Sequence, residues 1–201
     1  MNGGMFVQVI RAPVRDEGAL VAALDRWETE LRPGTTGFLG STAGLTTDGE
    51  VILVARFDSE EAARRNSDRP EQGAWWAELE QALAGPARFF ESAAVDVSMG
   101  GGSDDAGFVQ VFWGRGDRDA ARSVMVQAEP ILRRERPDIL GGFTVWLEDG
   151  RFIDVAYFRS EREAREGEAR ELSEQGRDVF EQFGRVLAAE GYADIPEPRL
   201  R

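Results

Sequence analysis

The sequence predicts an α+β protein made of two βαββαβ repeats, each an antiparallel sheet with helices on one face. Three observations carry this prediction. The pentapeptide Phe6-Val7-Gln8-Val9-Ile10 recurs as Phe108-Val109-Gln110-Val111-Phe112, which points to an internal duplication. Sliding one half over the other then pairs Leu39-Gly40 with Leu140-Gly141, Asp48-Gly49 with Asp149-Gly150, Val54-Ala55 with Val155-Ala156, Phe57 with Phe158 and Ser59-Glu60 with Ser160-Glu161. Between the halves, Gly100-Gly101-Gly102-Ser103-Asp104-Asp105 has the composition of a flexible linker.

Met1 to Gly4 reads as a loose start. Met5 to Arg11 is a strand by its Val, Ile and Phe content, ended by Pro13. From Asp16 the apolar residues Leu20, Leu24, Trp27 and Leu31 recur at helical spacing until Pro33-Gly34. Gly37 to Thr47 and Glu50 to Phe57 are β-rich runs joined at Asp48-Gly49, a dipeptide that tolerates positive φ and suits a tight hairpin. Asp58 or Ser59 can cap the next helix, which breaks near Arg69-Pro70 and resumes with Trp75, Trp76, Leu79 and Leu83 on one side. A final strand is predicted from about Ala87 to Val97. The first repeat thus covers residues 5–98, the linker 99–106 and the second repeat 107–197.

The second half repeats the order. Strand Phe108 to Trp113 precedes a helix from Arg118 to about Glu135, then hairpin strands on either side of Asp149-Gly150, then a helix opened by a Ser160/Glu163 capping box. Two departures are expected. Pro130 should kink or shorten its helix, and the last strand should be poor, because Tyr192 to Arg201 carries Pro196 and Pro198.

Composition narrows the chemistry. A chain of 201 residues with 42% hydrophobic content is folded, and a net charge of -13 repels nucleic acid and anionic membrane surfaces. A small molecule or another protein is the better partner. With no Cys there is no thiol chemistry, and with no His the usual hydrolase triads, haem ligation and most zinc sites disappear, so no metal site is expected. No basic leader and no apolar run of membrane-spanning length stand in the sequence, which makes a cytoplasmic location the expectation. No phosphate-cradling Gly-x-x-x-x-Gly-Lys loop is present either.

A βαββαβ unit leaves one sheet face uncovered, and two such units can cover each other. This pattern resembles the dimeric α/β-barrel fold and, within it, the antibiotic biosynthesis monooxygenase family, here as a fused tandem. The residues that carry the resemblance are Phe6 to Ile10, Gly37-Phe38-Leu39-Gly40, Val54 to Phe57, and Asn66-Ser67-Asp68-Arg69-Pro70-Glu71-Gln72-Gly73-Ala74-Trp75-Trp76. The resemblance implies ferredoxin-like repeats packed as an intramolecular dimeric barrel. A further homodimer through a strand edge or helix is compatible with it. It also implies a cofactor-independent monooxygenase acting on an aromatic or quinone-type small molecule. The alternative is a non-catalytic ligand-binding or stress-associated barrel. Family members oxidising polycyclic phenols carry an Asn and a Trp four residues apart on the third strand. The matching positions here are Leu53 and Phe57 in one repeat and Asp154 and Phe158 in the other, so neither keeps the pair.

Asp154 is the candidate catalytic residue. Strand alternation groups it with Phe152, Ala156 and Phe158, so a buried face would raise its pKa and suit it as a general base. The other reading is an ion pair, a backbone donor or a wet rim. Asn66, Trp75 and Trp76, beside the helix break, are candidates for a flat aromatic ligand, although tryptophans at helical spacing also build cores. Gln8 and Gln110, at matched positions of the duplicated strand, either offer an amide to a ligand or bond across the duplicated strands. Phe158 completes the substrate-binding candidates.

Overall fold

The computed structural model describes residues 4–201; Met1, Asn2 and Gly3, most of the expected loose start, lie outside the described residues. The chain forms two compact units, the first ending at Ala93 and also holding Arg201, the second running from Ala94 to Leu200. No helix among the described residues is long and apolar enough to cross a membrane.

The first unit runs β1 (Phe6–Pro13), α1 (Glu17–Arg26), β2 (Phe38–Leu45), β3 (Glu50–Phe57), α2 (Glu60–Ser67), α3 (Pro70–Leu79) and β4 (Arg88–Ser92), the expected βαββαβ order. Its antiparallel sheet has the order β2-β3-β1-β4, with Phe6 opposite Phe57 and Gln8 opposite Glu91. At the β2 edge Ser41 exchanges two backbone hydrogen bonds with Arg201, of 2.6 and 3.0 Å. The hairpin turns at Asp48-Gly49, where Gly49 takes a φ of 82°.

Local chemistry places each helix. Asp16 Oδ1 accepts from the Ala19 N–H at 2.9 Å and starts α1, whose buried Leu20, Ala23 and Leu24 pack on Val51, Trp75, Leu79 and Leu83. Each such side chain taken out of water contributes about 1.5–3 kcal/mol. Helix α1 does not stop at Arg26. It widens into a π turn, Trp27–Leu31, and closes with a 3-10 turn, Arg32–Gly34. Ser59 Oγ caps α2, and Pro70 opens α3 at its first position, where a missing N–H costs nothing.

The second unit runs β5 (Val95–Ser98), β6 (Phe108–Gly116), α4 (Arg118–Glu135), β7 (Ile139–Trp146), β8 (Arg151–Phe158), α5 (Glu161–Glu168), α6 (Glu174–Val186) and β9 (Leu187–Ile195). Its sheet order is β5-β7-β8-β6-β9, all antiparallel. Both hairpin residues, Asp149 and Gly150, have positive φ.

Four expectations change. The strand expected from Ala87 to Val97 is two strands: β4 pairs with β1, whereas β5 pairs with β7, and the Gly-Ser-Asp segment follows β5 inside the second unit. The last strand of the second repeat is complete, because β9 precedes Pro196 and Pro198 and keeps its N–H groups for β6. Its Ala188-Ala189-Glu190 are helix formers, so local propensity concealed it. Helix α4 continues through Pro130 over its full 18 residues. At Ser160 only half of the capping box forms: Ser160 Oγ accepts from Glu163 N at 3.2 Å, while the Glu163 carboxylate pairs with Arg159 at 3.6 Å.

Candidate functional site

In the first unit the helices do not close down on the sheet, and a cavity of about 590 Å³ remains between them. Its floor is the helix-facing side of the sheet: Gln8 and Ile10 from β1, Ser41 and Ala43 from β2, Leu53, Ala55 and Phe57 from β3, Phe89 and Glu91 from β4. Its roof is Leu24 and Trp27 from the end of α1, Arg64, Asn66 and Ser67 from α2, and Gln72, Gly73, Trp75 and Trp76 from α3. The π turn begins at Trp27, and such turns widen a helix where a side chain must be re-aimed.

Aromatic rings run through this wall in an unbroken sequence. Phe89, 60% exposed, stands edge-on to Trp76 at 5.2 Å. Trp76 meets Trp75 at 6.2 Å, Trp75 meets Trp27 at 6.4 Å, and Trp27 meets Phe38 at 5.4 Å. These separations are those of favourable edge and tilted pairs, worth about 0.5–1.5 kcal/mol each beyond area burial. Trp75 is anchored as well as stacked, since its Nε1 donates to Ala23 O at 2.7 Å and ties α3 to α1.

Polar groups are few and placed. Asn66 is 7% exposed, and its Oδ1 accepts from Thr35 Oγ1 at 3.2 Å and from Arg69 Nη1 at 3.1 Å. Gln72 Oε1 accepts from Trp27 Nε1 at 3.1 Å. At the β4 edge Gln8 Nε2 donates to Glu91 Oε2 at 3.3 Å, and Arg64 bonds both Glu91 oxygens. The Arg64 guanidinium holds the Glu91 carboxyl below its ordinary pKa, so this acid stays charged and is a poor general base. Among the described residues no cluster of three or more acidic side chains is placed to hold a metal ion.

Four of the sequence candidates, Gln8, Asn66, Trp75 and Trp76, therefore meet in one cavity. Asp154, Phe158 and Gln110 are not among its walls. Gln110 is committed to structure: its Nε2 donates to Asp194 Oδ1 and Glu168 Oε1, each at 3.1 Å. Arg165 pairs with the same two acids and covers the Phe108 ring at 5.2 Å. Gln8, Glu91, Arg64 and Phe6 repeat this arrangement in the first unit, with Arg64 5.8 Å from the ring centre. The duplicated glutamines thus bond within each unit, central strand to edge strand. Phe158 is core, packed on Phe108 at 5.8 Å.

Asp154 lies on β8 opposite Phe112 and Thr144. Thr144 Oγ1 donates to its Oδ1 at 2.5 Å, and among the described residues no basic side chain pairs with it. The residue is half-buried, and its carboxyl is withdrawn from water. Desolvation pushes its pKa up to about 6, with the threonine hydrogen bond working in the opposite direction.

At the matching places of the second unit the side chains differ. Gly167 stands where Asn66 would be, and a Cβ there would lie 2.4 Å from Asp138 Oδ2. Asp138 and Arg136 form a buried ion pair at 2.7 Å, and Ala128 occupies the place of Trp27. Leu24, Trp27 and Gln72 are site residues that the sequence reading did not single out. Trp27 was visible only as a helix-face apolar residue.

No family model matches the chain, and no curated protein matches it. Solved structures do. A "putative monooxygenase" from Fusobacterium nucleatum superposes with a TM-score of 0.76 at 12% identity, covering 100% of this chain and 95% of its own. A second protein of that description, from Lactobacillus acidophilus, gives 0.72 at 6% identity over 98% of this chain and 99% of its own. An anthrone oxidase-like protein gives 0.67 at 10% identity over 98% and 93%. The chain shares its two-repeat fold with these proteins over nearly its whole length, and at these identities the likeness is one of fold alone.

Proposed function

We propose that this monooxygenase-like protein takes up a flat aromatic or quinone-type small molecule in the cavity of its first unit. The observation that carries this reading is the ring-lined cavity of about 590 Å³ with the buried Asn66 carboxamide in its wall. That volume lies within the range of small-molecule sites, about 300–1,000 Å³. Stacking on Trp76, Trp75 and Phe89 would supply most of the affinity, and the polar groups would supply orientation. Titrating tryptophan fluorescence with anthrone- and hydroquinone-type compounds tests it. Saturable quenching is expected in the wild type, with affinity at least about tenfold weaker when Gly73→Trp fills the cavity mouth. Quenching that never saturates, or that Gly73→Trp leaves unchanged, overturns the reading.

A second reading, cofactor-independent oxygenation, is favoured by Asp154, whose carboxyl is set by its surroundings to accept a proton near neutral pH. A substrate C–H acidified by an adjacent aryl ketone would give its proton to Asp154. The resulting carbanion would pass its electrons to O2 to form a hydroperoxide, and loss of water would leave a new carbonyl. One oxygen atom enters the product and the other leaves as water. Oxygen consumption is the check, corrected for autoxidation and run with chelator. Uptake should need protein, rise with pH through about 6 and collapse in Asp154→Asn, because the base form is the unprotonated one. Uptake that Asp154→Asn leaves intact removes Asp154 from the mechanism.

A further inference from the structure

Two carboxamides face the first-unit cavity, and each has its oxygen committed to a group that can only donate. Asn66 Oδ1 is held by Arg69 Nη1 at 3.1 Å, with Thr35 Oγ1 beside it, and Gln72 Oε1 is held by the Trp27 indole N–H at 3.1 Å. Guanidinium and indole have no acceptor, so neither amide can flip without losing its partner. Both NH2 groups are therefore turned away from these partners, and among the described residues neither they nor the Trp76 N–H donate to any protein group. Asn66 is more than nine-tenths buried, so a ligand that fills the cavity and displaces its water must itself satisfy this NH2.

Arg69 sets the polarity of Asn66, as the Trp27 indole sets that of Gln72. Its Nη1 reaches Leu31 O, Thr35 Oγ1 and Asn66 Oδ1, each at 3.1 Å, and its Nε is fixed by Glu71 Oε1 at 2.9 Å. A Cβ at Gly34 would come within 2.8 Å of Arg69 Nη2, so the chain leaves room for the guanidinium there. The opposite wall has the reverse character. Gln8 spends its NH2 on Glu91, which leaves the Gln8 oxygen and the Glu91 carboxylate as acceptors at the β4 edge.

We propose that Arg69 is a positioning residue that, by holding the Asn66 oxygen as the Trp27 indole holds that of Gln72, fixes the helix-side wall of the cavity as a hydrogen-bond donor. The site thereby selects planar ligands that present a bare oxygen acceptor, carbonyl or aryloxide, to Asn66 and Gln72. A ligand carrying a hydroxyl as well would turn it toward Gln8 and Glu91. This rests on the reading of the cavity as an aromatic-ligand site. It adds that an isosteric ring system without oxygen leaves buried donors unpaired, which a polar site penalises far more than a missing methylene.

Equilibrium dialysis with 1,4-naphthoquinone and naphthalene isolates the acceptor from the ring. The chain has no Cys, and its 24 basic residues are all Arg, so the quinone meets no thiol or lysine amine. The wild type should bind naphthoquinone at least about tenfold more tightly than naphthalene. Arg69→Met should cut the preference at least about threefold by weakening only the quinone, with Gln72 still held by Trp27, while Arg69→Lys, which keeps a cationic donor, should restore part of it. Asn66→Leu should reduce the preference as Arg69→Met does. Retained naphthalene binding shows that the variants are folded around the cavity. Equal binding of both compounds to the wild type, or equal weakening of both by Arg69→Met, overturns the donor polarity and leaves the aromatic site standing. Failure of the wild type to bind either compound overturns the aromatic site itself.

Discussion

Leu53 and Asp154 hold the same place in the two repeats, opposite Ile10 and Phe112 respectively, and the surroundings suit the leucine better. A carboxylate desolvated without a cation is destabilising when charged. The folded-state pKa of Asp154, about 6, lies above the unfolded value near 3.8, so between these limits the folded chain binds more protons than the unfolded one. Stability associated with Asp154 is present below about pH 4 and lost as pH rises through about 6. Asp154→Asn should therefore raise stability at pH 8 by about 1–3 kcal/mol and change little at pH 4, with Thr144 still donating to the side-chain oxygen. Urea unfolding at the two pH values checks this, and an equal effect at both would contradict the raised pKa. At the same scale, Asn66, Trp75 and Trp76 were legible as candidates because an amide and two indoles beside a helix break are an unusual set. That Asn66 is held by Arg69 and Thr35 was not legible, since Thr35 lies 31 residues away and the Asn66–Arg69 bond depends on how the chain turns between α2 and α3.

Glycines mark the difference between elements that must stay narrow and elements with room to spare. In α3 a Cβ on Gly73 would meet nothing within 4 Å. Gly73→Ala should stabilise the protein by up to about 1 kcal/mol, the usual gain of alanine over glycine in a helix. In β6 a Cβ on Gly114 would lie 2.1 Å from Ala188 O, at the register shift where β9 crosses it. Gly114→Ala should cost at least about 2 kcal/mol, because backbone rather than a flexible side chain must give way. Thermal melts of the two variants should move in opposite directions. Strand β9 also shows why elements can be misjudged: Leu187-Ala-Ala-Glu reads as helix, and only pairing with β6 makes it a strand. The split of the Ala87 to Val97 run into β4 and β5 has the same cause, since each half takes its hydrogen bonds from a different sheet.

At the level of the whole molecule, one duplicated plan carries different side chains in its two copies. Both units keep the Gln-acid-Arg-Phe arrangement that ties a central strand to an edge strand and a helix. Only the first combines it with Trp27, Trp75, Trp76 and Asn66 around a cavity. A ligand held there should stabilise the protein by about 2.7 kcal/mol at a hundred times its Kd. Hydrogen exchange should place the added protection in peptides from the first unit, around α2 and α3. Protection centred on β8 instead would move the binding site to the second unit.

The sequence by itself determined the duplication, the βαββαβ order, the hairpin turns and the helix break, because these follow from periodicity, caps and turn residues read within a few positions. It also excluded thiol and histidine chemistry outright. Tertiary structure alone decided that the first repeat keeps a cavity, that Gln110 is spent on Asp194 and Glu168, and which way the Asn66 amide faces. The physical reason is that a cavity is a difference between volumes contributed by several elements, and a carboxamide's polarity depends on the partner that reaches it first. Neither quantity belongs to any single stretch of chain.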